Sequence, residues 1–244
     1  MALDATVRGV LLLLAAGLLS GCSTGGEAPS DDASPTASPQ PDAAAVALPG
    51  PSLDGPLSVE EALAGRRSVR DYADVPVTLE EAAQLLWAAQ GVTEPGTGFR
   101  SAPSAGALYP LEVYLAASRI EGLSAGVYRY SPAGHTLSRV RDSVEIAELS
   151  RAALSEDAIV QAPAVLVIAA VFERTTVKYG ERGRRYVHME AGHAAQNVYL
   201  QGVALGLGTV VIGAFDDDAV RSAVGLGAGE QPLYLMPFGR PGGG

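Results

Sequence analysis

Arg66-Arg67-Ser68-Val69-Arg70 crowds three guanidinium groups and one hydroxyl into five residues. Like charges this close repel and are normally spread over a surface. Clustered beside a hydroxyl, they suit phosphate and other anionic oxygens, which arginine can grip in a bidentate way. A solvated basic patch is the competing reading of these residues alone. A second segment, Ala102-Pro103-Ser104-Ala105-Gly106, is built from small side chains that let backbone approach a flat ligand closely. In a third, Ile212-Gly213-Ala214-Phe215-Asp216, small residues directly follow a strand-like stretch and leave N–H groups free to donate to a ligand.

Other groupings have simpler explanations. His188, Glu190 and His193 stand at i, i+2 and i+5 of a helical pattern. Ligands on one helix face need i and i+3 or i+4, so only Glu190 and His193 share a face; a structural pair is expected there, and no metal site. Asp216-Asp217-Asp218 suits the start of a helix, where the dipole favours negative charge. No dinucleotide-binding Gly-x-Gly-x-x-Gly stands in the chain.

These segments need elements to hold them. Ser58 caps a short helix ending at Gly65, and Thr78 caps a helix over Leu79–Ala89, with Glu81 completing a capping box. Leu111–Ala117, Gly126–Ser131 and Leu137–Val140 read as strands, and Ser143–Leu154 as a helix. Ala164–Phe172 is continuously apolar and predicts a buried central strand. Tyr186–Leu205 is the longest helical pattern; Gly192, Ala194, Ala195, Gly202 and Ala204 give it a surface that admits close packing by another helix. A short strand (Thr209–Ile212), a helix (Asp217–Val224) and a last strand (Leu233–Phe238) follow. Strands and helices mix without βαβ alternation, which predicts an α+β domain with helices covering an antiparallel-rich sheet.

With 244 residues, 48% hydrophobic and 18% charged, the chain has enough apolar material for one globular domain plus accessory sequence. Its net charge of −10 and the lack of a dense basic stripe exclude a nucleic-acid binder. Cys22 is the only cysteine, so no intramolecular disulfide or multi-cysteine metal site can form. It follows the apolar run Val10–Leu19, which is short for a bilayer span, and ends Leu19-Ser20-Gly21-Cys22, as in an export signal. Residues 23–57 are rich in Pro, Ser and Ala and carry five acidic and no basic residues, the composition of an extended tether.

Two resemblances sharpen this reading. Leu19-Ser20-Gly21-Cys22 resembles a bacterial lipobox, which implies a signal peptide over residues 1–21, lipidation of Cys22, and a protein exported and held at the cell envelope by its lipid anchor. From Ser58 to Pro241, the three segments in their order resemble the FMN-dependent nitroreductase superfamily. That resemblance implies an FMN-binding domain over 58–244, folded as an intertwined homodimer whose core the long Gly/Ala-rich helix helps to build. It implies that Arg66, Arg67 and Ser68 hold the FMN phosphate and ribityl chain, and that Arg70 faces the N1/O2 edge. It further implies that Pro103 and Ser104 reach FMN across the dimer interface, that Gly213 and Ala214 donate to flavin N5, and that Arg240 in Gly239-Arg240-Pro241 binds phosphate.

Ser101–Tyr114, Lys178-Tyr179-Gly180, Glu190-Ala191-Gly192-His193 and Gln196-Asn197 are more similar to the SagB/ThcOx branch of azoline dehydrogenases; typical nitroreductases carry Asn and Gln where Ala107 and Tyr109 stand. This implies that Lys178 and Tyr179 form the base that removes a proton while flavin takes the hydride, with the lysine's affinity for its proton lowered by burial. The function expected is hydride transfer between flavin N5 and a small organic or peptide-derived substrate. An NAD(P)H-dependent nitro or quinone reductase and a non-catalytic ligand-binding surface lipoprotein are the alternatives.

Overall fold

A computed structural model of the chain describes residues 45–243. The signal run, the lipobox at Cys22 and the tether up to residue 44 lie outside the described residues. Seven strands form the main sheet: β1 (Val46–Ala47), β2 (Leu111–Ala117), β3 (Gly126–Ser131), β4 (Thr136–Arg141), β5 (Ala164–Val171), β6 (Gly208–Thr209) and β7 (Glu230–Gly239). Their order is β1-β4-β3-β2-β5-β7-β6, and every neighbouring pair is antiparallel. Seven helices accompany them: α1 (Val59–Gly65), α2 (Leu79–Gln90), α3 (Ile146–Ala152), α4 (Asp157–Gln161), α5 (Glu173–Tyr179), α6 (Arg182–Ala204) and α7 (Asp217–Val224). The α+β reading therefore holds.

Strand periodicity sorts the core into two halves. Leu111, Val113, Leu115, Leu166, Ile168, Met236 and Phe238 face α2 and α6 on one side of the sheet. Tyr114, Ala116, Val165, Val167 and Leu235 face α3, α4 and α7 on the other. Because helices cover both faces, β5 has no solvent side and needs no polar alternation, which explains its unbroken apolar run. Both expected helix starts are built as read: Ser58 and Thr78 each accept from the third helical N–H while Glu61 and Glu81 reciprocate.

Five boundaries differ from the sequence reading. The tether does not extend to residue 57. Val46–Ala47 pairs with β4, and the Ser52 backbone exchanges hydrogen bonds with the Gln84 side chain, so this polar stretch is tied to the domain through its backbone. The helix expected over Ser143–Leu154 spans only Ile146–Ala152; it ends before Leu154 and Ser155, which take φ of 56° and 63°, and a further short helix, Asp157–Gln161, follows. The long helix starts at Arg182 and is preceded by α5, the two separated by Gly180 at φ 57°; the Arg-rich run that opens α6 lacks the apolar period that would reveal helix. Its small residues divide: Ala194, Ala195 and Gly202 are buried within the domain, whereas Gly192 is exposed and has open space at its Cβ position. The strand expected over Thr209–Ile212 ends at Thr209 apart from one bridge at Ile212, and β7 runs longer than expected because β5 pairs with it over most of its length.

Candidate functional site

The predicted residues gather in two places along α6. At its carboxyl-terminal half, Tyr199 joins two of the three segments. Its hydroxyl accepts from the Val211 N–H at 2.9 Å and lies 3.1 Å from Ser68 Oγ. The Arg66 guanidinium stands 5.2 Å from the centre of its ring. The 66–70 segment is placed by Val69, whose N–H donates to Thr209 O at 2.9 Å and whose side chain packs where Gly208 has no Cβ. Arg66 is half-buried, and Arg67, Ser68 and Arg70 are exposed. None of these three arginines makes an ion pair among the described residues. Beyond Ile212, the exposed Gly213 and Ala214 amides find no acceptor among the described residues. Uncompensated guanidiniums, a hydroxyl and free N–H donors make a donor set that fits a phosphate-bearing flavin. Sequence reasoning missed Tyr199; the only signal is an aromatic residue set in a Gly/Ala-rich helix.

Two carried-over residues stand apart from the Arg66–Ser68 group. Arg240 donates to Leu205 O at 2.6 Å and forms an ion pair with Glu81, so its charge is already compensated and it ties α2 to the end of α6. Arg70 does not join Arg66 and Ser68; with Asp71, Glu156, Asp157 and Gln161 it lines a separate depression beside α4.

The second gathering lies near the start of α6. Residues 104–109 form a tight turn, with φ of 65° at Gly106, 54° at Ala107 and 46° at Tyr109. Two of these are not glycine, a costly conformation that persists only when neighbours over-determine it. Here Tyr109 N–H donates to Ser104 Oγ at 2.9 Å, Arg174 donates to Tyr109 O at 3.0 Å, and the Arg100 guanidinium lies 4.3 Å from the Tyr109 ring centre. Ser104 Oγ therefore serves the turn, and Pro103 beside it is exposed. Above the turn stand Lys178 and Tyr179, at the end of α5. A Cβ on Gly106 would lie 2.9 Å from Lys178 Nζ and 2.7 Å from Tyr179 Oη, so the pair converges on backbone that only glycine leaves uncovered. Lys178 is the only lysine of the chain and is exposed, so its expected burial is not supplied by this chain's own fold.

Glu190 lies below the same turn, only 2% exposed, with its Oε1 unpartnered among the described residues. Burial pushes its carboxyl up to about 7, against the opposing pull of the Ser104 hydroxyl, the Arg100 guanidinium and the Ala105 amide. Gln90 Nε2 is likewise buried and unpartnered, while its Oε1 accepts from Arg100 at 2.9 Å. His193 is exposed, so the expected Glu190–His193 pair does not form; the described residues hold no cluster of metal-ligating side chains. Gly122-Leu123-Ser124-Ala125-Gly126 spells a hydrolase-type Gly-x-Ser-x-Gly but sits on a turn between strands, away from any strand-to-helix elbow. Glu190 and Tyr199 stand nine positions apart on α6, about 14 Å of helix rise, so the two gatherings are distinct within one chain. A cavity of about 650 Å³ between α2, α6 and residues 49–59 contains neither.

The sequence profile of the nitroreductase family matches residues 63–240. The nitroreductase-like protein MJ1384 of Methanocaldococcus jannaschii is 50% identical over 184 residues, covering 75% of this chain and 91% of that protein. The microcin B17-processing protein McbC of Escherichia coli is 32% identical over 163 residues, covering 64% of this chain and 60% of McbC. Among solved structures, a nitroreductase-like protein of Ralstonia eutropha superposes with a TM-score of 0.70 at 28% identity, covering 82% of this chain and 90% of that one. A chain of the E. coli microcin synthetase McbBCD complex, with truncated pro-MccB17 bound, superposes with a TM-score of 0.66 at 28% identity, covering 80% and 77%.

Proposed function

This chain belongs to the nitroreductase family of oxidoreductases, and we propose that it is an FMN-dependent dehydrogenase of the SagB type acting on a small organic or peptide-derived substrate. The observation that carries this reading is the convergence of Lys178 Nζ and Tyr179 Oη over Gly106. A lysine amine and a phenol meeting on uncovered backbone can serve as a base and its partner, the neutral amine taking the proton of a substrate C–H. The likeness to McbC supports the same branch.

Arg66, Arg67 and Ser68 would hold the phosphate and ribityl chain of FMN, and the Gly213 and Ala214 amides would donate to its ring edge. When bound, the flavin supplies hydride acceptance. The chain's own part is positional: Tyr199 fixes Ser68 relative to the 211–214 loop, and Lys178 with Tyr179 accepts the substrate proton. The two gatherings stand apart on α6, so a second copy is needed to bring the Lys178–Tyr179 end against the arginine end. A homodimer meets this need, with the exposed face of α6 around Gly192 at its interface. The proposal keeps the protein exported and lipid-anchored through Cys22; incorporation of labelled palmitate that disappears in Cys22→Ala tests it.

The visible spectrum of the purified full chain is the first test. A flavin spectrum bleached by dithionite is expected, and a colourless protein that ignores added FMN overturns the proposal in favour of a binding module. The second test is oxidation of a synthetic thiazoline peptide. Lys178→Ala is expected to abolish it with flavin retained; full activity in that variant removes the base role. The 50% identity to MJ1384 favours one further reading, an NAD(P)H-dependent nitro or quinone reductase. Nitroaromatic turnover that is indifferent to Lys178→Ala, with no thiazoline oxidation, selects it.

A further inference from the structure

Glu190 is buried with one carboxyl oxygen unpartnered among the described residues, an arrangement that costs stability and so points to a role. Its surroundings point to the turn beside it. Its helix α6 packs on the Ala105–Ala107 turn. The Ser104 hydroxyl and Ala105 amide address its carboxyl, and the Arg100 guanidinium contributes across from the same side. The strained part of the turn rises from there through Gly106, on which Lys178 Nζ and Tyr179 Oη rest.

We propose that Glu190 is a positioning residue which, through the Ser104–Ala107 turn, holds Lys178 and Tyr179 in register with each other. The inference rests on the reading of those two side chains as the proton-accepting pair. An ionised Glu190 binds the Ser104 O–H and Ala105 N–H more strongly than a neutral one, because a charged acceptor roughly doubles a hydrogen bond. Deprotonation therefore tightens the turn, and protonation loosens it. The charged groups facing this carboxyl are few. Arg100 faces it directly, Glu112 and Arg174 act through Arg100, Lys178 and Tyr179 stand across the turn, and His193 of its own helix points to solvent. Burial pushes the Glu190 carboxyl up to about 7, so its charge changes across the neutral range.

Lys178 carries the only side-chain amine in the chain, so its reactivity reports on the turn without any knowledge of the natural substrate. The experiment is acylation of full-chain protein by the N-hydroxysuccinimide ester of acetic acid between pH 5.5 and 8.5, with the Lys178 peptide quantified by mass spectrometry. The wild type is compared with Glu190→Gln, which keeps shape and loses the charge. At pH 5.5 the two rates should agree. At pH 8.5 the variant should react about fivefold faster, because a neutral amide holds the turn less firmly than a carboxylate. A ratio that does not change with pH overturns the proposal. If Glu190→Gln does not fold, Ser104→Ala breaks the same link from the other side. It removes the Tyr109 N–H bond to Ser104 Oγ at every pH and so should react faster throughout, with the excess growing as pH rises; a ratio to wild type that is constant with pH overturns the proposal equally. Thiazoline oxidation that survives Lys178→Ala removes the base reading on which this inference rests, whereas a constant acylation ratio with that oxidation abolished defeats only the role of Glu190.

Discussion

Glu190→Gln should make the folded protein more stable at pH 8 and leave its stability nearly unchanged at pH 4.5. The carboxyl is raised from 4.5 to about 7 in the folded state, chiefly by burial. A group whose pKa rises on folding contributes stability that is fully present below its unfolded value and is lost as pH climbs through the folded value. The window is therefore pH 4.5 to 7, and above it the buried carboxylate costs about 3 kcal/mol, taking about 1.4 kcal/mol for each unit. A neutral amide removes that cost. For a domain of about 200 residues, each kcal/mol moves the melting temperature by about 2–4 °C, so the variant should melt about 6–12 °C above wild type at pH 8. Thermal denaturation followed by circular dichroism at pH 4.5, 6, 7 and 8 reads the divergence directly. Equal melting temperatures at pH 8, or a difference that does not grow between pH 4.5 and 7, would refute the assignment of a proton to this buried site.

Gly106→Ala should lose thiazoline oxidation while keeping the fold. Its Cβ would fall within 3 Å of the ends of Lys178 and Tyr179, which can swing away, and the positive φ adds about 1–2 kcal/mol, read by urea unfolding. Tyr199→Phe removes the hydroxyl that joins Ser68 to the Val211 amide; about 1 kcal/mol of stability and a rise in the FMN dissociation constant are expected, measured by flavin fluorescence. Arg240→Ala strips Glu81 of its ion-pair partner, so the melting temperature should fall while bound flavin per chain stays the same; loss of flavin alone would restore a phosphate role to Arg240.

Local signals in the sequence carried much of this protein. Capping residues placed α1 and α2, because a side chain that satisfies the first N–H groups lies within three positions of them. The apolar run of β5 located the middle of the sheet, because a strand with no solvent face has no use for polar residues. The arginine cluster and the Lys178–Tyr179 dipeptide are contiguous, so their chemistry could be read in one dimension. What stayed hidden depends on contacts between residues far apart. The anchoring of residues 46–52 comes from backbone pairing with β4 and Gln84, to which polar composition is blind. The capture of Arg240 by Glu81 spans 159 positions, and nothing near either residue announces it.

The sequence by itself determined which chemical groups are available and which helices and strands carry them, since propensity, capping and burial periodicity act over a few residues. Only the tertiary structure decided which of those groups meet. Glu190 looked like one half of a helix-face pair with His193, yet the rotation of α6 against its neighbours buried one and left the other in water. The same packing set Lys178 and Tyr179 over a glycine more than seventy positions away. Side-chain encounters of that kind are fixed by how elements dock, and docking is a property of the whole core.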